Sequence, residues 1–132
     1  MKELLLLAGA FLLSATAAFA QNSMVGTWQG SVMFSGAPMG LNLVIMPDGR
    51  YSAQQTWGGM MTMDTGTYEM LPNSQVHFTV QDWEPKQQCF PQTGCHAILK
   101  PPGSLGTVHL FGSTMQLQDQ ASGIVINYQR VQ

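Results

Sequence analysis

The sequence predicts an all-β protein, a single antiparallel up-and-down β-barrel of about eight short strands. Apolar and polar residues alternate along most of the chain, as they do in strands that bury one face. Turn residues recur about every eight to twelve positions, which is the spacing of antiparallel hairpins. No window has good helical periodicity. Closing such a sheet on itself would bury the apolar faces and remove the edge strands.

The individual strands follow from this alternation and from the turns between them. In the first strand Trp28, Val32 and Phe34 share one face, and Gly36-Ala37-Pro38 then turns the chain. Asp48-Gly49 is typical of a tight hairpin turn. The predicted strands cover residues 25–34, 40–46, 50–57, 60–70, 75–83, 95–99, 106–111, 114–118 and 124–131.

Two other all-β architectures fit the sequence less well. An immunoglobulin-type sandwich has a Cys-Trp-Cys core spacing that this chain lacks. An outer-membrane barrel needs an apolar outer face, whereas the faces opposite the apolar ones here carry residues such as Gln29, Ser31, Gln54 and Gln116. We therefore expect no membrane insertion.

The first twenty residues predict export. Lys2 precedes an apolar run over residues 4–13, and Ala18-Phe19-Ala20 fits the small-x-small pattern at which signal peptidase cleaves. The apolar run is too short to span a bilayer. We therefore expect a signal peptide over residues 1–20, a barrel domain over 21–132, and a periplasmic or secreted location.

The cysteines are interpreted in the light of that location. Cys89 and Cys95 are the only two in the chain, and an oxidising compartment favours a disulfide between them. The chain-entropy model gives such a short loop roughly 2 to 2.5 kcal/mol of stabilisation. A redox or nucleophilic thiol beside His96 is the alternative, although the spacing is not Cys-x-x-Cys.

Charge and motifs exclude several functions. The net charge is −2 and the few Lys and Arg residues are scattered, so the clustered cations of a nucleic-acid surface are missing. The sequence contains no Gly-x-Ser-x-Gly, His-Glu-x-x-His or phosphate-loop motif. His77, His96 and His109 are expected at the surface or rim rather than as a zinc site. We expect no catalytic residue, no cofactor and no resident metal.

Gly26-Thr27-Trp28 near the start of the first strand and Arg130 in the last strand resemble the calycin pattern shared by lipocalins and avidins. The likeness extends to small bacterial lipocalin-like domains through Asp48-Gly49-Arg50-Tyr51 and Thr65-Gly66-Thr67-Tyr68. The resemblance implies that Trp28 lies across one closed end of the barrel with Arg130 packed over it. A guanidinium on an indole face would tie the first strand to the last.

Methionine is the compositional anomaly, with ten residues in the chain. Met61 and Met63 are two positions apart and therefore point to the same face of a strand, about 7 Å from each other. Three interpretations compete: filling of irregular gaps in the core, an adaptable apolar pocket, and a Cu(I) site of Met60, Met61 and Met63, to which His77 could be added as a further ligand.

The leading hypothesis is a non-enzymatic exported barrel that binds a small, mostly apolar molecule in its interior. The candidate ligand-binding residues are Tyr51, Trp57, Met61, Met63, Phe78 and Val80. One alternative is a protein-interaction module, an exported inhibitor or envelope-complex subunit, that binds an envelope protein through Trp83 and the disulfide loop with Phe90. The other is a periplasmic Cu(I)-handling protein.

Overall fold

Ten β-strands and no helices make up residues 23–131, the part of the chain that the computed structural model describes. The strands are β1 (Gly26–Phe34), β2 (Ala37–Ile45), β3 (Arg50–Trp57), β4 (Met60–Leu71), β5 (Gln75–Glu84), β6 (Gln87–Phe90), β7 (Gly94–Ala97), β8 (Gly103–Phe111), β9 (Thr114–Asp119) and β10 (Val125–Val131). None of these residues forms a helix that could cross a membrane. The predicted signal peptide, residues 1–20, lies outside the described range.

Eight of these strands close into one antiparallel barrel in the order β1-β10-β9-β8-β5-β4-β3-β2. Each barrel strand pairs with the next barrel strand along the chain, and the first strand closes the sheet by pairing with the last, with Trp28 opposite Arg130. Closure leaves no unpaired edge in the barrel. The prediction of a single antiparallel up-and-down barrel is confirmed.

The turns of an up-and-down barrel alternate between its two ends. One end, which we call the mouth, carries the connections over residues 35–36, 58–59, 85–102 and 120–124. The other end, which we call the floor, carries the connections over residues 46–49, 72–74 and 112–113, together with the chain that leads into β1.

The floor is sealed by an indole. Trp28 is 0% exposed, and its Nε1 donates a hydrogen bond of 2.8 Å to the Met24 carbonyl oxygen. The Arg130 guanidinium carbon lies 4.3 Å from the centre of the Trp28 ring. The same guanidinium donates to the carbonyl oxygens of Val25 and Ser23, each at 2.8 Å. Cation-π attraction and two charge-assisted hydrogen bonds therefore fix Arg130 across the closure of the barrel.

The remaining two strands, β6 and β7, form a hairpin outside the barrel. Cys89 pairs directly with Cys95, and their sulfur atoms are at the predicted disulfide distance, 2.01 Å. The sequence predicted a loop followed by a strand over 95–99. Instead β6 and β7 pair with each other, and β7 ends at Ala97. The cross-link joins two directly opposite residues and so fixes the register of this short ribbon. Trp83 Nε1 donates to the Ile98 carbonyl oxygen at 2.8 Å and fastens the base of this hairpin to β5.

A β-bulge determines which side chains of β5 reach the mouth. The ladder between β4 and β5 shifts register at Gly66, and Gln81 is the extra residue. A Cβ atom on Gly66 would collide with the backbone of β5, so glycine is required where the two strands approach closely. Beyond the bulge Trp83 pairs with Asp64, and the two residues therefore share the inner face of the sheet.

Candidate functional site

A cavity of about 200 Å³ lies inside the barrel toward the mouth. Its walls come from six barrel strands, β2, β3, β4, β5, β9 and β10, and from β8 with the chain that enters it. The lining residues are Leu43, Tyr51, Ala53, Gln55, Asp64, Phe78, Val80, Pro101, Gly103, Ser104, Leu117 and Tyr128. An engineered core cavity of about 150 Å³ is large enough to bind benzene. The space therefore suits a molecule the size of a single ring.

Alternation along β3 and β4 directs polar side chains into this cavity. Tyr51, Ala53 and Gln55 are spaced two residues apart on β3 and share its inner face. Asp64 pairs with Ala53 across the ladder, which places its carboxylate on the same face. Gln55 and Asp64 thus lie on the inner face of the barrel, where hydrophobic side chains are usually found.

The buried Asp64 carboxylate is held by neighbouring donors. Asp64 is 8% exposed. The Tyr51 hydroxyl donates to its Oδ2 at 2.9 Å, and Gln55 Nε2 donates to its Oδ1 at 3.1 Å. A carboxylate withdrawn from water requires such partners. The carboxylate is therefore fixed in position at the edge of the cavity.

Lys100, in the connection between the hairpin and β8, supplies a cation to this cluster. Its Nζ lies 3.8 Å from Asp64 Oδ1 and donates to Gln55 Oε1 at 3.3 Å and to Thr62 Oγ1 at 3.4 Å. The Thr62 hydroxyl in turn donates to Gln55 Oε1 at 2.8 Å. All three contacts of the ammonium are longer than the 2.7 to 2.9 Å of a close charge-assisted hydrogen bond. Lys100 is thus held loosely.

Two phenols complete the polar part of the cavity. Burial, reinforced by the nearby Asp64 charge, raises the pKa of Tyr128 to about 12. Burial and the same carboxylate also raise the pKa of Tyr51. Both hydroxyls are therefore protonated at neutral pH and able to donate hydrogen bonds.

The Tyr128 hydroxyl faces the cavity. Tyr128 is 6% exposed, and its side chain lines the cavity. No side-chain nitrogen or oxygen atom in residues 23–131 is both fully enclosed and unpaired. The neutral Tyr128 hydroxyl is therefore available as a polar group at the cavity.

Three of the six predicted ligand-binding residues lie at this cavity. Tyr51, Phe78 and Val80 line it, and the rings of Tyr51 and Phe78 pack edge to face with centroids 5.1 Å apart. Trp57 lies instead at the rim of the mouth. Its Nε1 donates to the Phe34 carbonyl oxygen at 2.9 Å, and its ring packs edge to face on the Phe34 ring.

Met61 and Met63 lie on the outer face of β4 and not in the interior. They border a shallow surface groove with Thr62, Glu84 and Pro85, and Met61 is 53% exposed. Their outward position follows from the inward position of Asp64, because neighbouring residues of a strand point to opposite faces. The apolar character of Met61 and Met63 alone predicts that these two residues face inward and that Asp64 faces outward. The buried carboxylate of Asp64 reverses that prediction.

The residues proposed for metal binding are not brought together. His77 pairs with Glu69, which lies about 26 Å along β4 from Met61 at roughly 3.3 Å per residue. His96 is on the hairpin and His109 is on β8. In residues 23–131 no group of three His, Cys, Asp or Glu side chains is arranged to hold a metal ion. His77 is therefore too far from Met61 to share a metal site with it.

Sequence reasoning missed four polar residues of the site: Gln55, Asp64, Lys100 and Tyr128. A signal for Asp64 did exist, because a carboxylate within a long alternating strand is conspicuous in a chain with only 9% charged residues. Tyr128 is two residues from Arg130 and so shares its strand face. Lys100 gave no such signal, because its partners are on strands far away in the sequence.

No protein-family model matches the chain, and no curated protein is significantly similar to it. The closed eight-stranded antiparallel barrel is consistent with a calycin-like fold. The Cys89–Cys95 disulfide indicates an oxidising, extracytoplasmic environment.

Proposed function

We propose that this protein is an exported, lipocalin-like binding protein that holds a small, mostly apolar molecule at the mouth of its barrel. The observation that carries the proposal is the cavity of about 200 Å³ in a barrel whose other end is sealed. Narrow eight-stranded barrels can fill their interior with side chains. This barrel does so at the floor and leaves space at the mouth.

The walls of the cavity suit such a ligand. Leu43, Phe78, Val80 and Leu117 offer apolar surface, whose burial supplies affinity at roughly 25 cal/mol per Å² before the costs of binding. A few fixed polar groups, such as the Tyr128 hydroxyl, would orient the ligand. This combination of apolar walls and a small number of placed polar groups is typical of binding sites for small molecules. The protein acts in this proposal as a carrier or receptor in the periplasm or outside the cell, without catalysis.

Methyl NMR with toluene as the probe tests the proposal. We expect saturable shifts at the methyl groups of Leu43, Val80 and Leu117, which line the cavity. Ala53→Phe places a ring in the cavity and should weaken toluene binding by more than about tenfold, by direct occlusion. Ser52→Phe adds the same ring on the outer face of the same strand and should leave binding unchanged. Lining methyls that do not respond to toluene at its solubility limit would rule the proposal out.

A second candidate function is protein binding through the disulfide hairpin. The β6–β7 ribbon stands outside the barrel, and nearly all of its residues are exposed, including Phe90. A photo-cross-linker in place of Thr93, at its tip, should capture one envelope protein in living cells under this hypothesis. The same group in place of Gln118, exposed on β9, is the matched control. Equal or absent capture from both positions would exclude the hairpin as the binding surface.

A further inference from the structure

One charged side chain lines the mouth cavity. Among its lining residues within the described chain, Asp64 alone carries a charged group, and its side chain is 11% exposed. Water screens a charge weakly at such a site, so its field on a bound molecule is strong. A ligand carboxylate would be repelled there and a ligand cation attracted.

Aromatic rings surround the same space. Tyr51, Phe78 and Tyr128 all line the cavity, and the faces of aromatic rings attract cations, most strongly where water is excluded. The hydroxyl oxygen of Tyr128 offers a further acceptor. A carboxylate together with several aromatic rings is the chemistry that recognises an ammonium group.

Lys100 demonstrates that an ammonium fits beside this cluster. Its Nζ reaches Asp64, Gln55 and Thr62 at 3.3 to 3.8 Å, and its side chain is 20% exposed. It belongs to a connection at the mouth and not to a barrel strand, and it carries its charge on a long flexible stem. A free ammonium inside the cavity could approach Asp64 more closely than Lys100 does.

We propose that the cavity selects small molecules with a protonated amine on an apolar, ring-sized body, and that Lys100 is a tethered competitor for the same carboxylate. This inference rests on the proposed binding function. A bound amine displaces the Lys100 ammonium from Asp64 toward solvent. The wild-type affinity for an amine is therefore reduced by the fraction of time that Lys100 occupies the site.

Three probes of similar shape test the selectivity: benzylamine, toluene and benzoate, titrated at neutral pH and followed by the methyl shifts of Leu43 and Val80. We expect benzylamine to bind at least about tenfold more tightly than toluene, and benzoate to bind more weakly than both. Benzylamine no tighter than toluene, or benzoate the tightest of the three, would overturn the inference. Toluene binding would still support the proposed function in that case, whereas failure of all three probes would refute both.

Two variants separate the roles of the charges. Lys100→Met removes the competitor and should raise benzylamine affinity about twofold, the gain expected if Lys100 occupies the site about half of the time. Lys86→Met is the matched control, because Lys86 is an exposed lysine whose side chain contacts Asp82 and the Trp83 ring and which does not line the cavity. Reduced benzylamine affinity in Lys100→Met would contradict the competitor role.

Asp64→Asn preserves the shape of the side chain and removes its charge. We expect this variant to bind benzylamine and toluene within about threefold of each other. A retained preference for benzylamine in a folded Asp64→Asn protein would show that Asp64 is not the ammonium acceptor. Should this variant not fold, the three-probe titration and Lys100→Met still decide the inference.

Discussion

The floor and the mouth of the barrel each place a cation against a buried side chain, yet the two ends are built to opposite effect. At the floor, Arg130 lies over the fully buried Trp28 and donates two hydrogen bonds of 2.8 Å to backbone carbonyls. At the mouth, Lys100 reaches its acceptors only at 3.3 to 3.8 Å, beside open space. A filled, tightly bonded end stabilises the fold, whereas a hollow, loosely bonded end can exchange its contacts for those of a ligand.

Backbone partners account for part of this difference. The acceptors of Arg130 are carbonyl groups fixed by the chain itself, and its planar guanidinium can bond two of them at once while stacking on a ring. The acceptors of Lys100 are side chains, and its ammonium is a single point of charge on a flexible stem. Replacement of the floor contacts therefore requires unfolding, while replacement of the mouth contacts requires only movement of one side chain.

The largest expected effect is at the floor. Trp28→Ala removes a completely buried indole and should lower the free energy of unfolding by about 3 to 5 kcal/mol. Trp57→Ala, at the rim of the mouth, should cost only about 1 kcal/mol, since that ring mainly contacts Phe34. Urea denaturation of both variants makes the comparison. Equal losses would mean that the floor has no special role in stability.

The second effect concerns the mouth and appears at high pH. An exposed tyrosine in the unfolded chain titrates near pH 10, whereas Tyr128 in the folded barrel has a pKa of about 12. Between these values the folded protein retains a proton that the unfolded chain has lost, so stability is complete below about pH 10 and declines as the pH rises toward 12. The shift corresponds to about 3 kcal/mol.

Tyr128→Phe tests that assignment. The wild-type and variant proteins are unfolded with urea at pH 8 and at pH 11.5, and the difference between their stabilities is compared. We expect the free energy of unfolding of the wild type to fall by about 2 kcal/mol more than that of the variant over this range. Both proteins retain some dependence of stability on pH, because the pKa of Tyr51 is also raised in the folded state. Parallel losses would show that Tyr128 is not the group responsible.

The third effect is that of the disulfide. Reduction of Cys89–Cys95 should lower the free energy of unfolding by about 2 to 2.5 kcal/mol, because the unfolded chain regains the freedom of a short loop. Intact mass after alkylation should first establish that the oxidised protein has no free thiol. Since the hairpin lies outside the barrel, toluene-induced shifts at the Leu43 methyls should persist after reduction. Their loss would show that the hairpin supports the mouth cavity.

The smallest pair of effects compares the two cations directly. Arg130→Met should cost about 1 to 2 kcal/mol through the lost hydrogen bonds and ring contact. Lys100→Met should lower the free energy of unfolding by less than about 0.5 kcal/mol, because a contact made about half of the time contributes only about RT ln 2. Chemical denaturation of the two proteins under identical conditions provides the measurement. A loss at Lys100 as large as that at Arg130 would remove the distinction between the two ends.

The fold was accessible from the sequence because strand alternation and turn chemistry are local. The Asp48-Gly49 turn and the alternation around Tyr51 predict a hairpin without any knowledge of the rest of the chain. The site was accessible only in part. Tyr51, Phe78 and Val80 follow the rule of apolar residues inside, whereas the position of Met61 depends on Asp64 being buried.

Long-range contacts account for the remainder of the site. Lys100 meets Gln55 across 45 positions of sequence, and no local pattern connects these residues. The bulge at Gln81 reverses the alternation of β5, so that odd-numbered positions face inward beyond it and Trp83 turns toward the mouth. Such features depend on how the strands pair. The alternation of apolar and polar residues within one strand does not show which strand lies beside it.

The seal at the floor also has a consequence for the order of folding. Most neighbours in the barrel are joined by short turns and can zip together as hairpins, whereas the hydrogen bonds of Arg130 join residues 105 and 107 positions apart. Contacts across such long stretches of chain carry the largest entropic cost and tend to slow folding. We therefore expect the pairing of β1 with β10 to be a late event in folding. Burial of the Trp28 indole would then mark the closure of the barrel.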